Sequence, residues 1–158
     1  MSSTLTGLAH PAEQAVAGIG GCLDEVFDAS LWSMSAAELS RLVVALEKMS
    51  RRVDAAKLIV LAQADASQVA AQTGAVSTAK WLNQVADVPI WAGKARLRLH
   101  ADLADRDTTR AAFQAGDITM DAATAVAAAM TSLPAAVPAA LSGDIEQLLV
   151  DTARDEGT

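Results

Sequence analysis

The sequence predicts an all-α protein: a multi-helix bundle organised around one long central helix over about residues 36–72, with a helix-turn-helix over about 78–105. Three observations carry this. Much of the 52% hydrophobic content is alanine, the best helix former, which loses no side-chain entropy in a helix. Aromatic residues make up only 3% of the chain and tyrosine is absent, so little favours strands. Ser, Thr, Pro and Gly recur where helices start and stop.

In chain order, residues 1–9 read as a frayed terminus, residues 10–153 as a single helical domain and residues 154–158 as a polar tail. The length of 158 residues suits one domain with a sizeable core. Pro11 opens a helix to about Asp28, which Gly18, Gly20 and Gly21 weaken. Ser30 to Met34 is a connection. Ser35-Ala36-Ala37-Glu38 is a capping box, with the serine capping the next helix and the glutamate reaching back. No Pro or Gly follows until Gly74, so the pattern predicts one helix of about 55 Å, ended by Gly74 in a left-handed conformation.

Within that helix Leu39, Leu42, Leu46, Met49, Val53, Ala56 and Val60 are spaced alternately by 3 and 4, a heptad seam. Two uses of the seam stay open: packing inside one chain, or pairing with a second copy or another partner. Beyond Gly74, Ser77 caps a helix over about 78–86, Asp87-Val88-Pro89 breaks it, and a helix over about 89–105 follows with Ile90, Leu97, Ala101 and Ala104 on its apolar face. A short helix from Asp107 or Thr108 stops at Gly116. Thr119 caps another over about 120–132, and a last one, broken near Ser142-Gly143, covers about 144–153.

The net charge of −7 argues against binding a polyanion, but the charge is uneven. Residues 1–40 hold five acids and no Lys or Arg, whereas residues 41–110 hold eleven of the twelve Lys and Arg against seven acids. Any nucleic-acid surface therefore falls in the middle of the chain. There the second helix of the helix-turn-helix carries Lys94, Arg96 and Arg98, with Arg106 just beyond and Lys80 on the first helix. Lys94 and Arg98 share a face, while Arg96 lies on the far side. Approach to double-stranded DNA and a solvated face with Arg98 paired to Asp102 both fit this pattern. Trp81 and Trp91 have the chemistry of base-stacking aromatics, but like Trp32 they adjoin apolar residues and read as core.

The catalytic inventory is thin. His10 and His100 are the two histidines, no His-x-x-x-His or Gly-rich phosphate loop occurs, and Asp102, Asp105 and Asp107 read as a solvated acidic cluster. The one cysteine, Cys22, cannot make an internal disulfide, and beside Leu23 and Val26 it reads as a small apolar residue. No metal, cofactor or small-molecule substrate is implied. No run of about 18 uncharged apolar residues occurs. Residues 1–10 lack the basic region of a secretory signal, so the expected location is cytoplasmic, with no membrane partner.

The pattern Gly74-x-x-Ser77-x-x-x-Trp81-Leu82, then Ala95-x-x-Arg98-Leu99, Leu103, and Ala112-Phe113-x-x-Gly116-x-Ile118-Thr119, resembles the actinobacterial 13E12 repeat family over roughly residues 31–133. Asp107 stands where many members have proline, and Ala122 and Ala123 where His or Gln is common. The resemblance implies a helical domain of unknown function that precedes a C-terminal HNH endonuclease domain. An HNH motif needs histidines around a divalent ion, and that motif is not in this sequence. The expectation is a non-catalytic accessory domain, met here as a fragment, a truncated copy or an expressed domain. It is expected to associate with DNA or, as the alternative, to serve as a helical dimerisation or protein-interaction module.

Overall fold

The structure, a computed structural model, describes residues 10–134 and 136–155. The stretch 1–9 and most of the 154–158 tail lie outside those residues. All regular structure among the described residues is helical: α1 (Pro11–Asp28), α2 (Ala36–Ala66), α3 (Val69–Gln72), α4 (Thr78–Ala86), α5 (Ile90–Asp102), α6 (Asp107–Ala115), α7 (Met120–Thr131) and α8 (Ala139–Asp155), with a 3-10 turn at Leu31–Ser33. The chain forms two units, Met1–Leu42 and Val43–Thr158, so the single domain expected over 10–153 is divided at a point inside α2.

In the first unit, α1 is continuous through its three glycines. His10 caps it: Nδ1 accepts from the Ala12 N–H at 3.1 Å, and Glu13 accepts from the His10 N–H at 3.1 Å. His10 is therefore the N-cap of α1. No residue of α1 is buried, and Val16, Ile19, Leu23 and Phe27 form an exposed apolar row at spacings of 3 and 4. Cys22 is exposed too, contrary to its reading as a packed residue. The Ser35–Glu38 box opens α2: the Ser35 hydroxyl and the Ser35 N–H each donate to Glu38 at 2.7 Å, and these hydrogen bonds, the hydroxyl's first, hold the Glu38 carboxyl below its ordinary pKa.

In the second unit, α2 stops at Ala66 rather than about Gln72. Gln68 takes a left-handed conformation (φ 54°), and α3 follows as a separate turn of helix. Gly74 (φ 74°) ends α3, not α2. The core draws Leu99 and Leu103 from α5 and its end, Ala112 and Phe113 from α6, Ile118 from the next turn, Ala123, Val126, Ala127 and Met130 from α7, and Val150 from α8. Burying Phe113 alone is worth about 2–3 kcal/mol. From α2, Ala55 and Leu58 join this cluster, and Leu61 is also buried. The expected heptad seam is not the buried face: Leu46, Met49 and Val60 are exposed, as is Leu39, and Leu42 and Val53 are half-buried. The heptad phase and the core-facing phase of α2 differ.

Gly116 (φ 76°) ends α6 and lies against α2, where a Cβ would come within 2.5 Å of the Lys48 carbonyl oxygen. Beside it, Asp117 accepts from Lys48 Nζ at 2.8 Å and lies 3.5 Å from Arg154 of α8. The Lys48 hydrogen bond, then the charges of Lys48 and Arg154, hold the Asp117 carboxyl below its ordinary range despite partial burial. Its contribution to stability is therefore present above the ordinary carboxylate pKa and fades as pH falls through the lowered value. The helix α8 runs unbroken through Gly143, in place of the expected break.

The N-terminus of α6 has no cap from its own flank. Instead Glu146 of α8, buried, accepts from the Thr109 N–H at 2.8 Å and the Thr109 hydroxyl at 2.7 Å. A carboxylate here satisfies an otherwise unpaired amide and complements the helix dipole. Glu146→Ala is expected to cost about 2 kcal/mol and Glu146→Gln clearly less, since the amide oxygen still accepts. Urea denaturation followed by circular dichroism measures both.

Candidate nucleic-acid interface

The middle of the chain places its cations through α4, the turn at 87–89 and α5. Ser77 caps α4 by accepting from the Lys80 N–H at 3.2 Å. Asp87 ends α4 in a left-handed conformation (φ 52°), and Pro89 sets the backbone that starts α5. Asn83 Nδ2 donates to the Val88 carbonyl at 3.1 Å and so ties α4 to the turn. Thr78, buried, donates through its hydroxyl to Asp65 near the end of α2.

The helices α4 and α5 pack closely because Gly93 is buried against Ala79. A Cβ at Gly93 would lie 3.2 Å from both the Cα and the Cβ of Ala79. About 80–120° round the helix from Gly93, α5 buries Leu99 and, at its end, Leu103. The expected apolar face of Ile90, Leu97, Ala101 and Ala104 is not the buried one: Ile90, Ala101 and Ala104 are exposed and Leu97 is half-buried.

The exposed residues of α5 are Ile90, Trp91, Lys94, Ala95, Arg98, His100, Ala101 and Asp102. At 100° per residue, Trp91, Lys94 and Arg98 fall within about 60° of one another. Trp91 is 74% exposed, so its reading as a core residue is corrected. Trp32 is 90% exposed and likewise outside any core, while Trp81 is half-buried. Among the described residues neither Lys94 nor Arg98 has an ion-pair or hydrogen-bond partner, and Arg98 does not pair with Asp102.

The other cations expected at this site are elsewhere or engaged. Lys80 is half-buried, with Nζ 3.4 Å from Asn83 Oδ1, and braces the turn. Arg96 is half-buried on the inner side of α5. Arg106 reaches Thr131 of α7 at 3.2 Å and its Nε is buried, so it belongs to the packing of α6 and α7. Arg110 pairs with Asp107 and caps α5 by donating to the Leu103 and Ala104 carbonyls at 2.9 Å each. Of the five candidate cations, Lys94 and Arg98 alone are exposed together, and Trp91 joins them. The sequence reading assigned Trp91 to the core, although its i, i+3, i+7 spacing with Lys94 and Arg98 was the signal for a shared outward face.

A concavity of about 270 Å³ lies among Leu58, Leu103, Phe113 and the exposed His100. It is mostly apolar and its lining includes no serine, cysteine or carboxylate to pair with the histidine. Among the described residues no three His, Cys, Asp or Glu side chains gather closely enough to hold a metal ion. No described helix is long and apolar enough to cross a membrane.

Compared with protein-family models, curated proteins and solved structures, the chain matches none.

The fit at Gly93 supports the outward face of α5. Gly93→Val, which adds three carbons where one is already tight, is expected to destabilise the fold by about 1–3 kcal/mol. Urea denaturation followed by circular dichroism reads this, and a midpoint equal to the parent's would contradict the close α4–α5 packing.

Proposed function

We propose that this chain is a non-catalytic, DNA-associated helical domain that positions an HNH-type endonuclease, as the resemblance to the 13E12 repeat family implies. The observation that carries the reading is the face of α5, where Lys94 and Arg98 stand exposed without partners beside an exposed tryptophan. In this reading α4 and α5 form a helix-turn-helix whose second helix meets double-stranded DNA. The strut α2 lays Ala55 and Leu58 on the core beneath it. Two cations give weak, salt-dependent binding, because each neutralised phosphate releases about one counterion.

The charge reversal Lys94→Glu with Arg98→Glu tests this by fluorescence anisotropy on a labelled duplex at about 50 and 200 mM salt. It is expected to lower affinity at the lower salt by at least about tenfold and to reduce the salt slope by about two. Binding that survives the reversal unchanged, or no binding by the parent protein, defeats the reading.

A second reading is a helical dimerisation module, favoured by the exposure of Leu46, Met49 and Val60 on α2. The two readings are compatible, since dimers read paired half-sites. Light scattering is expected to give a dimer for the parent protein and a monomer for Leu46→Asp with Met49→Asp. A monomeric parent removes this reading and leaves the first intact.

A further inference from the structure

We propose that Trp91 is a stacking platform for an unpaired base, so that the preferred partner of the α5 face is single-stranded DNA. The inference rests on the DNA-associated reading and changes the preferred form of that DNA from intact duplex to unpaired strand. Its basis is where the indole sits. Trp91 is 74% exposed, in the first turn of α5, and among the described residues it has no hydrogen-bond or ring partner. Lys94 and Arg98 follow on the same face, about 4.5 and 10.5 Å further along the helix axis. A nucleic-acid strand whose base lies on Trp91 therefore meets a cation one turn on and another two turns on.

The chemistry of the two kinds of DNA decides between them. Intact duplex stacks its bases on one another and offers only their edges in the grooves. An indole gains little there unless it forces a step open. An unpaired base offers a whole face, and stacking on an aromatic ring is tolerant of base identity. Lys94 and Arg98 supply the complementary charge for the phosphates but carry no means of telling one strand from two. Trp91 is the side chain that distinguishes them. The residues around it fit this use: Ile90 is exposed on the same turn, and Ala95, four residues on, is small and exposed.

The test uses the whole chain and three labelled DNAs of equal length: a thymine-rich single strand, an intact duplex, and that duplex with a single-stranded gap. Anisotropy is read at about 50 mM salt for the parent, Trp91→Ala, Trp91→Phe and the Lys94→Glu/Arg98→Glu pair. The parent is expected to bind the single strand and the gapped duplex about tenfold more tightly than the intact duplex. Trp91→Ala is expected to erase that preference, and Trp91→Phe to keep most of it. Because Trp91 is exposed, both variants are expected to retain the parent's helicity, checked by circular dichroism.

Equal affinity for all three DNAs, or a preference for intact duplex, overturns the platform. So does a Trp91→Ala variant that keeps the preference. If binding is present but shows no such preference, and is lost in the Lys94/Arg98 variant, the platform fails while the DNA-associated reading stands. If no DNA binds, both fail.

Discussion

At Gly93 the backbone of α5 comes so near to α4 that a single added carbon would lie 3.2 Å from the Cα and Cβ of Ala79. This contact fixes the rotation of α5 about its own axis. Gly93 must face α4, and Leu99 and Leu103 must face the core built by α6, α7 and α8. Together these demands use up one side of the helix. The remaining arc holds Trp91, Lys94 and Arg98, which point outward because small and branched residues elsewhere on the helix already point inward. Asn83, bonded to the Val88 carbonyl, keeps the turn between the helices from relaxing the arrangement.

The electrostatics of the chain follow from the same placement. An acidic protein of net charge −7 repels DNA at long range, yet salt screens that repulsion beyond about 8–10 Å. Contacts made at the surface of α5 are shorter than that. What matters locally is whether a cation already has a carboxylate. Lys48, Lys57, Arg110 and Arg154 do, and they serve the fold. Lys94 and Arg98 do not. The apolar row on α1 and the exposed Leu46 and Met49 of α2 have a different character and call for a protein surface rather than phosphates.

Helix starts and stops were largely legible in the sequence because they depend on local chemistry. Ser35 with Glu38, Ser77, Thr119 and Gly116 each act as the cap their residue type predicts. The break after α2 was not legible, because Gln68 adopts a left-handed conformation without being glycine. Its neighbours, not its own preference, place it there. Rotational phase was the weaker inference. In an alanine-rich helix several faces pass as apolar, so Ile90 and Ala101 competed with Leu99 and Leu103 for the inner side of α5. Trp91, beside Ile90, read as core for its apolar neighbour although it falls on the outward arc. On α2 the heptad seam and the buried Ala55, Leu58 and Leu61 are likewise two apolar faces of one helix. The cap that Glu146 supplies to α6 spans two helices and no local pattern foretells it.

Backbone amide chemical shifts recorded during titration with a single-stranded oligonucleotide test the central claim most directly. The account predicts that the largest changes cluster at Trp91, Lys94, Ala95 and Arg98, with the Trp91 indole N–H shifting alongside them. Changes concentrated on α1 or on the Leu46–Met49 stretch of α2, with α5 silent, would contradict it.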